Sequence, residues 1–186
     1  MSDGGPHTDG DTSAAVLPDS GAPRDEVDSH APELDLQRAR DLAWRALNRR
    51  DRTVSEVRAM LADKQVAPAA IETVVAELSA AGYLDDARYA ERFAEDRRRL
   101  DAWGRERIER RLGVLGVPRE HIVAAISGQD REAELQTAVD LLRRRFSQPP
   151  ADDRERSRAL GLLVRRGYEA ETAYEAIRRH AGEPNQ

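Results

Sequence analysis

Two adjacent carboxylates, Asp85 and Asp86, are the residues of this chain that could most directly do chemistry. They lie in the stretch GYLDDARYAERFAEDR, residues 82–97. A pair of acids can transfer protons, or can bind a divalent cation through its oxygens. Both activities need further side chains nearby. The four histidines lie without metal-ligand spacing: His7, His30, His121 and His180. The acid pair therefore has no histidine close to it in sequence.

The same stretch has the pattern of a junction between two helices. Gly82 follows an apolar helical segment and suits the left-handed residue that commonly ends a helix. Asp85 is predicted to cap the next helix, with Asp86 beside the positive end of its dipole. Leu84 and Tyr89 have the spacing of a hydrophobic staple across that cap. We interpret the motif as structural throughout: Gly82, Tyr83, Leu84, Asp85, Asp86, Tyr89 and Phe93.

Other catalytic patterns are absent from the sequence. There is no G-x-x-x-x-G-K-[ST] loop, G-x-G-x-x-G, H-E-x-x-H or G-x-S-x-G motif, and there is no cysteine. The single lysine, Lys64, is predicted to end a helix, where a positive charge stabilises the dipole. The sequence therefore predicts a protein that is not an enzyme and that binds no cofactor and no metal.

Arginine is the residue that the sequence does offer in quantity. The clusters are Arg49, Arg50 and Arg52; Arg97, Arg98 and Arg99; Arg105, Arg107, Arg110 and Arg111; Arg143, Arg144 and Arg145; and Arg165 and Arg166. Positive charge at helix C-termini, paired with nearby acids, explains part of this pattern. Its recurrence along the chain predicts a basic edge that binds a polyanion or an acidic groove, two partners that the sequence does not separate.

A repeat of 51 residues organises the chain. Two displacements by this length align four sets of apolar residues: Val57, Ile108 and Ala159; Leu61, Leu112 and Leu163; Val66, Val117 and Tyr168; and Val75, Ile126 and Ile177. The apolar spacing within each repeat is helical. Helices are predicted at 36–50, 53–64, 68–81, 86–100, 104–115, 118–127, 131–146, 152–165 and 169–181. The predicted fold is all-α, an elongated array of three tandem three-helix repeats.

The predicted units span residues 36–84, 85–130 and 131–186, behind an acidic tail at 1–35. The tail holds nine acids and one arginine, while the rest holds 29 basic and 26 acidic residues, a charge of +3. With few large apolar residues the tail is predicted to be disordered. One hypothesis is that it competes with nucleic acid for the basic body, and the alternative is a solubilising extension with no further role. No signal or membrane-spanning segment is recognisable, so we expect a cytoplasmic monomer.

The motif at 82–97, continued by WGRERIERRLGVLGV, resembles the hallmark of the RecX regulatory proteins. The resemblance covers residues 36–181 and is most specific at 82–117. RRDRTVSEVRAMLADKQV, residues 49–66, is similar to the first unit of that family, and LGLLVRRGYEAETAYEAI to the third. The chain departs from the family where Gln65 and Ala67 stand in place of a glycine turn, and in its acidic tail.

The resemblance implies three three-helix units that bind the RecA recombinase and its filament on single-stranded DNA. It implies inhibition of strand exchange, ATP hydrolysis and coprotease function, with the middle unit as the main contact surface. The residues expected to bind RecA or DNA are Arg88, Arg92, Arg97, Arg98, Arg105, Arg107, Arg110, Arg111, Arg143, Arg144, Arg165 and Arg166. Tyr89, Phe93, Ile108 and Leu112 are expected to hold the fold.

Two alternatives remain at this stage. The first is a module that binds single-stranded or duplex DNA directly, without RecA. The weak charge of the body argues against it, as do the few aromatic residues, which do not form an interleaved stacking platform in the sequence. Trp44 and Trp103 are expected to be packing residues. The second alternative is a helical scaffold for some other partner.

Overall fold

The computed structural model describes residues 24–128 and 130–182, with side chains from residue 32 onward. Over these residues the chain forms nine α-helices and no strand. In chain order they are α1 Arg24–Leu47, α2 Val54–Asp63, α3 Pro68–Ala80, α4 Asp86–Asp101, α5 Arg105–Val114, α6 Arg119–Ser127, α7 Arg131–Arg145, α8 Asp153–Arg166 and α9 Ala170–His180. The all-α prediction is confirmed. Within this part of the chain, no helix is long and apolar enough to span a bilayer.

The first helix is longer than the sequence indicated. It begins at Arg24 instead of residue 36 and carries Pro32 within it, so the second part of the predicted tail is helical. Residues 1–23 lie outside the described residues. The carboxylate of Asp35 accepts a hydrogen bond from the amide of Ala67 at 2.7 Å, which ties α1 to the start of α3. Asp35 and Ala67 are 32 residues apart, so a local sequence pattern does not predict this contact.

Short polar signals set the helix ends. Thr53 begins α2 with a complete capping box, in which its side chain accepts from the amide of Glu56 and the Glu56 carboxylate accepts from the amide of Thr53. At the other ends Gly82, Gly116 and Gly167 follow α3, α5 and α8 with φ of 73°, 74° and 86°. This is the left-handed region, which glycine adopts without strain.

Each unit has its own hydrophobic core. The twelve apolar residues that the 51-residue repeat aligned are all buried, which confirms them as core positions. Small residues on the first helix of each unit, such as Ala39, Ala90 and Ala138, are fully buried against the two helices that follow. Packed cores of this kind supply most of the stability of short helices.

A joint of hydrogen bonds connects the first unit to the second. The Thr53 hydroxyl donates to the carbonyl oxygen of Leu115 at 2.7 Å, and the amide of Val54 donates to a carboxylate oxygen of Asp86 at 2.9 Å. Gly116 lies so close to Ser55 that an added Cβ would be 2.3 Å from its hydroxyl oxygen. The start of α2 therefore rests on the end of α5.

The joint between the second and third units repeats this arrangement one repeat length further along. The amide of Gly104 donates to the carbonyl oxygen of Arg166 at 2.8 Å, and the amide of Arg105 donates to the carboxylate of Glu134 at 3.0 Å. A Cβ on Gly104 would be 2.3 Å from the carbonyl oxygen of Gly167. The start of α5 therefore rests on the end of α8.

Because α5 uses its first turn in one joint and its last turn in the other, it connects all three units. The second joint is further secured by the Tyr168 hydroxyl, which donates to the carbonyl oxygen of Ala102 at 3.1 Å. No hydrogen bond or ion pair between described residues links the first unit to the third. The units are thus in tandem, each held by its neighbours.

Candidate partner-binding face

Three aromatic side chains of the middle unit form a row between α4 and α5. The rings of Tyr89 and Phe93 are nearly parallel, with centroids 6.2 Å apart, and Phe93 meets Trp103 edge-on at 6.2 Å. All three side chains are half-buried against the core of the unit. We call Tyr89, Phe93 and Trp103 the aromatic row.

Two arginines are interleaved with the aromatic row. The Arg97 guanidinium lies 5.2 Å from the centre of the Phe93 ring and 5.5 Å from that of Trp103, and Arg107 lies 4.2 Å from Trp103 on another side. These are cation–π distances. Trp103 packs, as expected. The sequence did not predict this arrangement, because α5 folds back and brings arginines and aromatics of separate segments together.

Trp44 was expected to be a packing residue, and it packs only in part. Its side chain is 38% exposed and meets the ring of Tyr83 edge-on, with centroids 4.5 Å apart. Tyr83 is itself 55% exposed. The two residues lie in different segments, at the end of α1 and between α3 and α4, so the sequence alone does not pair them.

Seven of the twelve predicted arginines use their guanidinium groups inside the protein. The partners are Gly82 carbonyl for Arg88, Asp51 for Arg92, Asp101 for Arg97, Ala125 carbonyl for Arg98, Glu169 for Arg105, Arg165 carbonyl for Arg107 and Asp101 carbonyl for Arg166. Several of these contacts stabilise helix ends or joints. Burial lowers the pKa of Arg98, whose guanidinium lies against the end of α6.

The other five predicted arginines have exposed side chains. The guanidinium groups of four of them form no hydrogen bond or ion pair with any described residue, and that of the fifth, Arg143, lies 3.5 Å from Asp140. The four are Arg110, Arg111, Arg144 and Arg165. Their guanidinium groups can therefore bind an external anion without first breaking a contact within the protein.

Arg111 extends the aromatic row with a free positive charge. Burial raises the pKa of the Tyr89 phenol, and the positive charges of Arg50, Arg111 and Arg97 act in the opposite direction. Arg111 lies one helical turn after Arg107 on α5, so it continues the side of that helix that contacts Trp103. The aromatic row with Arg110 and Arg111 on the adjacent helix is the candidate partner-binding face.

Three further exposed arginines were missed by the sequence analysis. Arg154 and Arg158 lie on α8 and Arg178 on α9, and no described residue pairs with any of them. The spacing of Arg154 and Arg158 by four residues places them on one side of their helix. That spacing could have been recognised in the sequence, but the neighbouring acidic residues make the segment appear mixed in charge instead of basic.

Asp85 and Asp86 are structural in two different ways. Asp85 caps α4, accepting from the amide of Arg88 at 2.9 Å, as predicted. Asp86 instead is buried and accepts from Val54 of the neighbouring unit, and burial raises its pKa. The fold also brings His121 into the same cleft, although it is distant in sequence. Among the described residues, no group of three or more potential ligands could hold a metal ion.

The predicted hydrophobic staple between Leu84 and Tyr89 is wrong. Leu84 is buried in the core of the first unit, while Tyr89 packs against the core of the second. The two side chains therefore point to opposite sides of the junction. The two residues have the spacing of a staple, but each packs into the core of a different unit.

Models of the RecX family match the chain in three consecutive segments. The first three-helix domain of RecX matches residues 39–78, the second 85–126 and the third 132–177. This chain belongs to the RecX family. The family domains follow the helices: each matched segment lies within one set of three helices and one core. The boundaries between the units, as drawn from the sequence, stay predictions.

Relatives from several bacteria support the RecX assignment over most of the chain. Regulatory protein RecX of Leptothrix cholodnii is 35% identical over 150 residues, covering 81% of this chain and 92% of its own length. Regulatory protein RecX of Thermobifida fusca is 33% identical over 153 residues, covering 81% and 82%. The chain is thus similar to proteins named as regulators.

A solved RecX structure has the same fold. The crystal structure of RecX from Lactobacillus salivarius superposes with a TM-score of 0.71 and 18% identity, covering 80% of this chain and 97% of that one. At this identity the likeness concerns the fold, which is the array of three-helix units described above.

Proposed function

We propose that this RecX-family chain regulates homologous recombination and the SOS response by binding RecA and its filament on single-stranded DNA. Binding inhibits strand exchange, ATP hydrolysis and coprotease activity, and the chain itself catalyses no reaction. Membership of the family supports the regulatory role. The arrangement of exposed arginines on a jointed array supports the kind of partner, one that is long and negatively charged.

One observation carries the proposal. Arg110 and Arg111 are exposed on α5, without partners among the described residues, beside the half-exposed aromatic row. A guanidinium binds carboxylate or phosphate in a two-pronged geometry, and an unpaired one does so without losing an existing contact. Aromatic and arginine side chains are also the residues enriched at protein interfaces.

The joints suggest how inhibition works. Each joint fixes the start of a helix in one unit on the end of a helix in the next unit. Basic residues of neighbouring units are therefore held at set distances from one another. Such an array can contact successive RecA protomers at once, and several weak contacts on one rigid body add in affinity. In the filament groove it would exclude duplex DNA and hinder the rearrangements that accompany ATP hydrolysis.

The test is the ATPase of RecA filaments on single-stranded DNA, measured as the chain is titrated in. We expect inhibition by the wild-type chain, and a half-inhibiting concentration on the order of tenfold higher for Arg110→Ala/Arg111→Ala. The matched control is Arg99→Ala/Arg119→Ala, which removes the same charge from exposed positions of the same unit. An ATPase that stays constant in the presence of the wild-type chain would refute the proposal.

The interleaved arginines and aromatics favour a second candidate, direct binding to DNA without RecA. Unstacked bases bind to aromatic faces, and phosphates bind to the adjacent guanidinium groups. This candidate predicts tight binding to bare oligothymidylate with an affinity that falls steeply as salt rises. Tight, salt-dependent binding to bare DNA together with an unchanged RecA ATPase would favour it over the first proposal.

A further inference from the structure

A crevice between α8 and α9 of the third unit exposes apolar surface that no described residue covers. Tyr174 is 54% exposed on one side of it, and the partly buried Leu160 and the buried Ile177 form its floor. Arg156 and Arg178 line its edges. This site lies apart from the aromatic row of the middle unit.

The corresponding positions of the first unit carry a salt bridge instead. Two repeat lengths before Leu160 and Tyr174 stand Arg58 and Glu72. Their side chains form a two-pronged ion pair between α2 and α3, with distances of 2.9 and 2.7 Å. The third unit has Leu160 and Tyr174 at these positions, so no ion pair spans its crevice there.

The charges at the edges of the crevice are mainly positive. Arg178 has no hydrogen-bond or ion-pair partner among the described residues, and Arg156 has only Asp153, at 3.5 Å. The Asp153 side chain is fully exposed, so that this pair is solvated and contributes little to stability. Both guanidinium groups are therefore available to a carboxylate at little cost.

We propose that the crevice between α8 and α9 binds an acidic peptide segment of a partner protein. An apolar side chain of the peptide occupies the space between Leu160 and Tyr174, and an adjacent carboxylate pairs with Arg178. Apolar anchors in grooves combined with pairing of acids to arginine are a common mode of peptide recognition. Tyrosine and arginine at the centre and edge of such a site supply much of the binding energy.

A peptide fits this crevice better than a nucleic acid does. The apolar lining is aliphatic apart from Tyr174, so the crevice offers one ring for stacking where single-strand binders use several. The Asp153 carboxylate at the edge would repel a continuous phosphate backbone, whereas a peptide can place a neutral residue opposite it.

The experiment measures fluorescence anisotropy of a short labelled peptide that has glutamates flanking a central Leu-Phe pair, added to the full chain without RecA. We expect binding that weakens on the order of tenfold in Tyr174→Ala and in Arg178→Glu. Tyr174→Phe should keep most of the affinity. The matched control is Tyr83→Ala, which removes an equally exposed tyrosine from the first unit and should bind like wild type.

Several results would overturn the inference. One is a peptide that does not bind, or that binds Tyr83→Ala as weakly as Tyr174→Ala. Another is labelled oligothymidylate that depends on Tyr174 when the peptide does not, which would assign the crevice to nucleic acid. A third is self-association in sedimentation that Tyr174→Ala abolishes, which would assign it to a second copy. Since RecA is absent, none of these results bears on the proposed function.

Discussion

The amide of Gly104 donates a hydrogen bond to the carbonyl oxygen of Arg166 at 2.8 Å, across the joint between the second and third units. The contact needs a backbone approach that only glycine allows, since a Cβ at Gly104 would be 2.3 Å from the carbonyl oxygen of Gly167. The end of one helix and the start of another are thereby held together by their main chains.

Gly104→Ala should open this joint. The added methyl group must displace backbone, and we expect a loss of roughly 1–3 kcal/mol of unfolding free energy, the usual cost of overpacking. Urea unfolding followed by circular dichroism measures it. The control is Gly113→Ala in α5, where nothing lies within 4 Å of the new Cβ. That variant should gain about 0.5–1 kcal/mol, since alanine favours a helix interior. If Gly104→Ala and Gly113→Ala changed the unfolding free energy equally, the close backbone contact at this joint would not be what determines the effect.

Thr53 has two roles, because it caps α2 and also donates a hydrogen bond across the joint between the first and second units. Two substitutions of Thr53 test these roles. Thr53→Ala removes both the cap of α2 and the hydrogen bond to Leu115, so it should cost about 1–2 kcal/mol. Thr53→Ser keeps the hydroxyl and should retain most of that stability. The control is Thr73→Ala on an exposed face of α3, which should change the thermal midpoint little. If Thr53→Ala unfolds at the wild-type temperature, the capping and joint roles are wrong.

Asp86 should make stability depend on pH in an unusual direction. Burial raises its pKa above the ordinary value of 3.8, so just above that value the folded chain binds more protons than the unfolded chain. Its contribution to stability therefore falls as pH rises through that window. Asp86→Asn keeps an oxygen for the amide of Val54 and removes the titration.

We expect Asp86→Asn to match or exceed wild type in urea unfolding at neutral pH, by about 0–1 kcal/mol. The difference should shrink on acidification through the window. Asp96→Asn, at an exposed carboxylate of the same helix, serves as the control. The same pH profile in Asp86→Asn and wild type would show that Asp86 is not the group responsible.

Variants of Asp85 test whether the acid pair is structural or catalytic. Asp85→Ala removes the cap of α4 and should cost about 1 kcal/mol, while Asp85→Ser should restore most of it because serine caps equally well. Thermal unfolding measures both, and RecA ATPase inhibition by the folded variants should match wild type. A serine variant that folds normally yet fails to inhibit would assign Asp85 a direct functional role.

Much of the fold could be predicted because its causes are local. The apolar spacing and the caps placed α2 to α9 within a residue or two of the observed bounds, and the repeat identified buried positions such as Leu61, Leu112 and Leu163. The joints could not be predicted. The partners Thr53 and Leu115 lie 62 residues apart, and nothing in either segment alone indicates that they meet.

The candidate site was predicted only in part, because its contacts also join residues that are distant in sequence. Composition showed that arginine is abundant, but its use depends on what each guanidinium meets in the fold. Arg107 is committed to Trp103 and to the end of α8, whereas Arg110, one turn further on, is free. The pairing of Asp86 with Val54 was likewise outside any local pattern.

The contacts of the two joints do not recur at the equivalent positions of the first and third units. At the position of Gly116 and Gly167 the first unit has Gln65, and the preceding carbonyl, that of Lys64, already accepts from Arg38. At the other end α8 starts a turn early, so Glu155, which stands where Thr53 and Gly104 stand, donates its amide to Asp152. Both groups are therefore satisfied within their own units, and neither depends on a second copy of the chain for its partner.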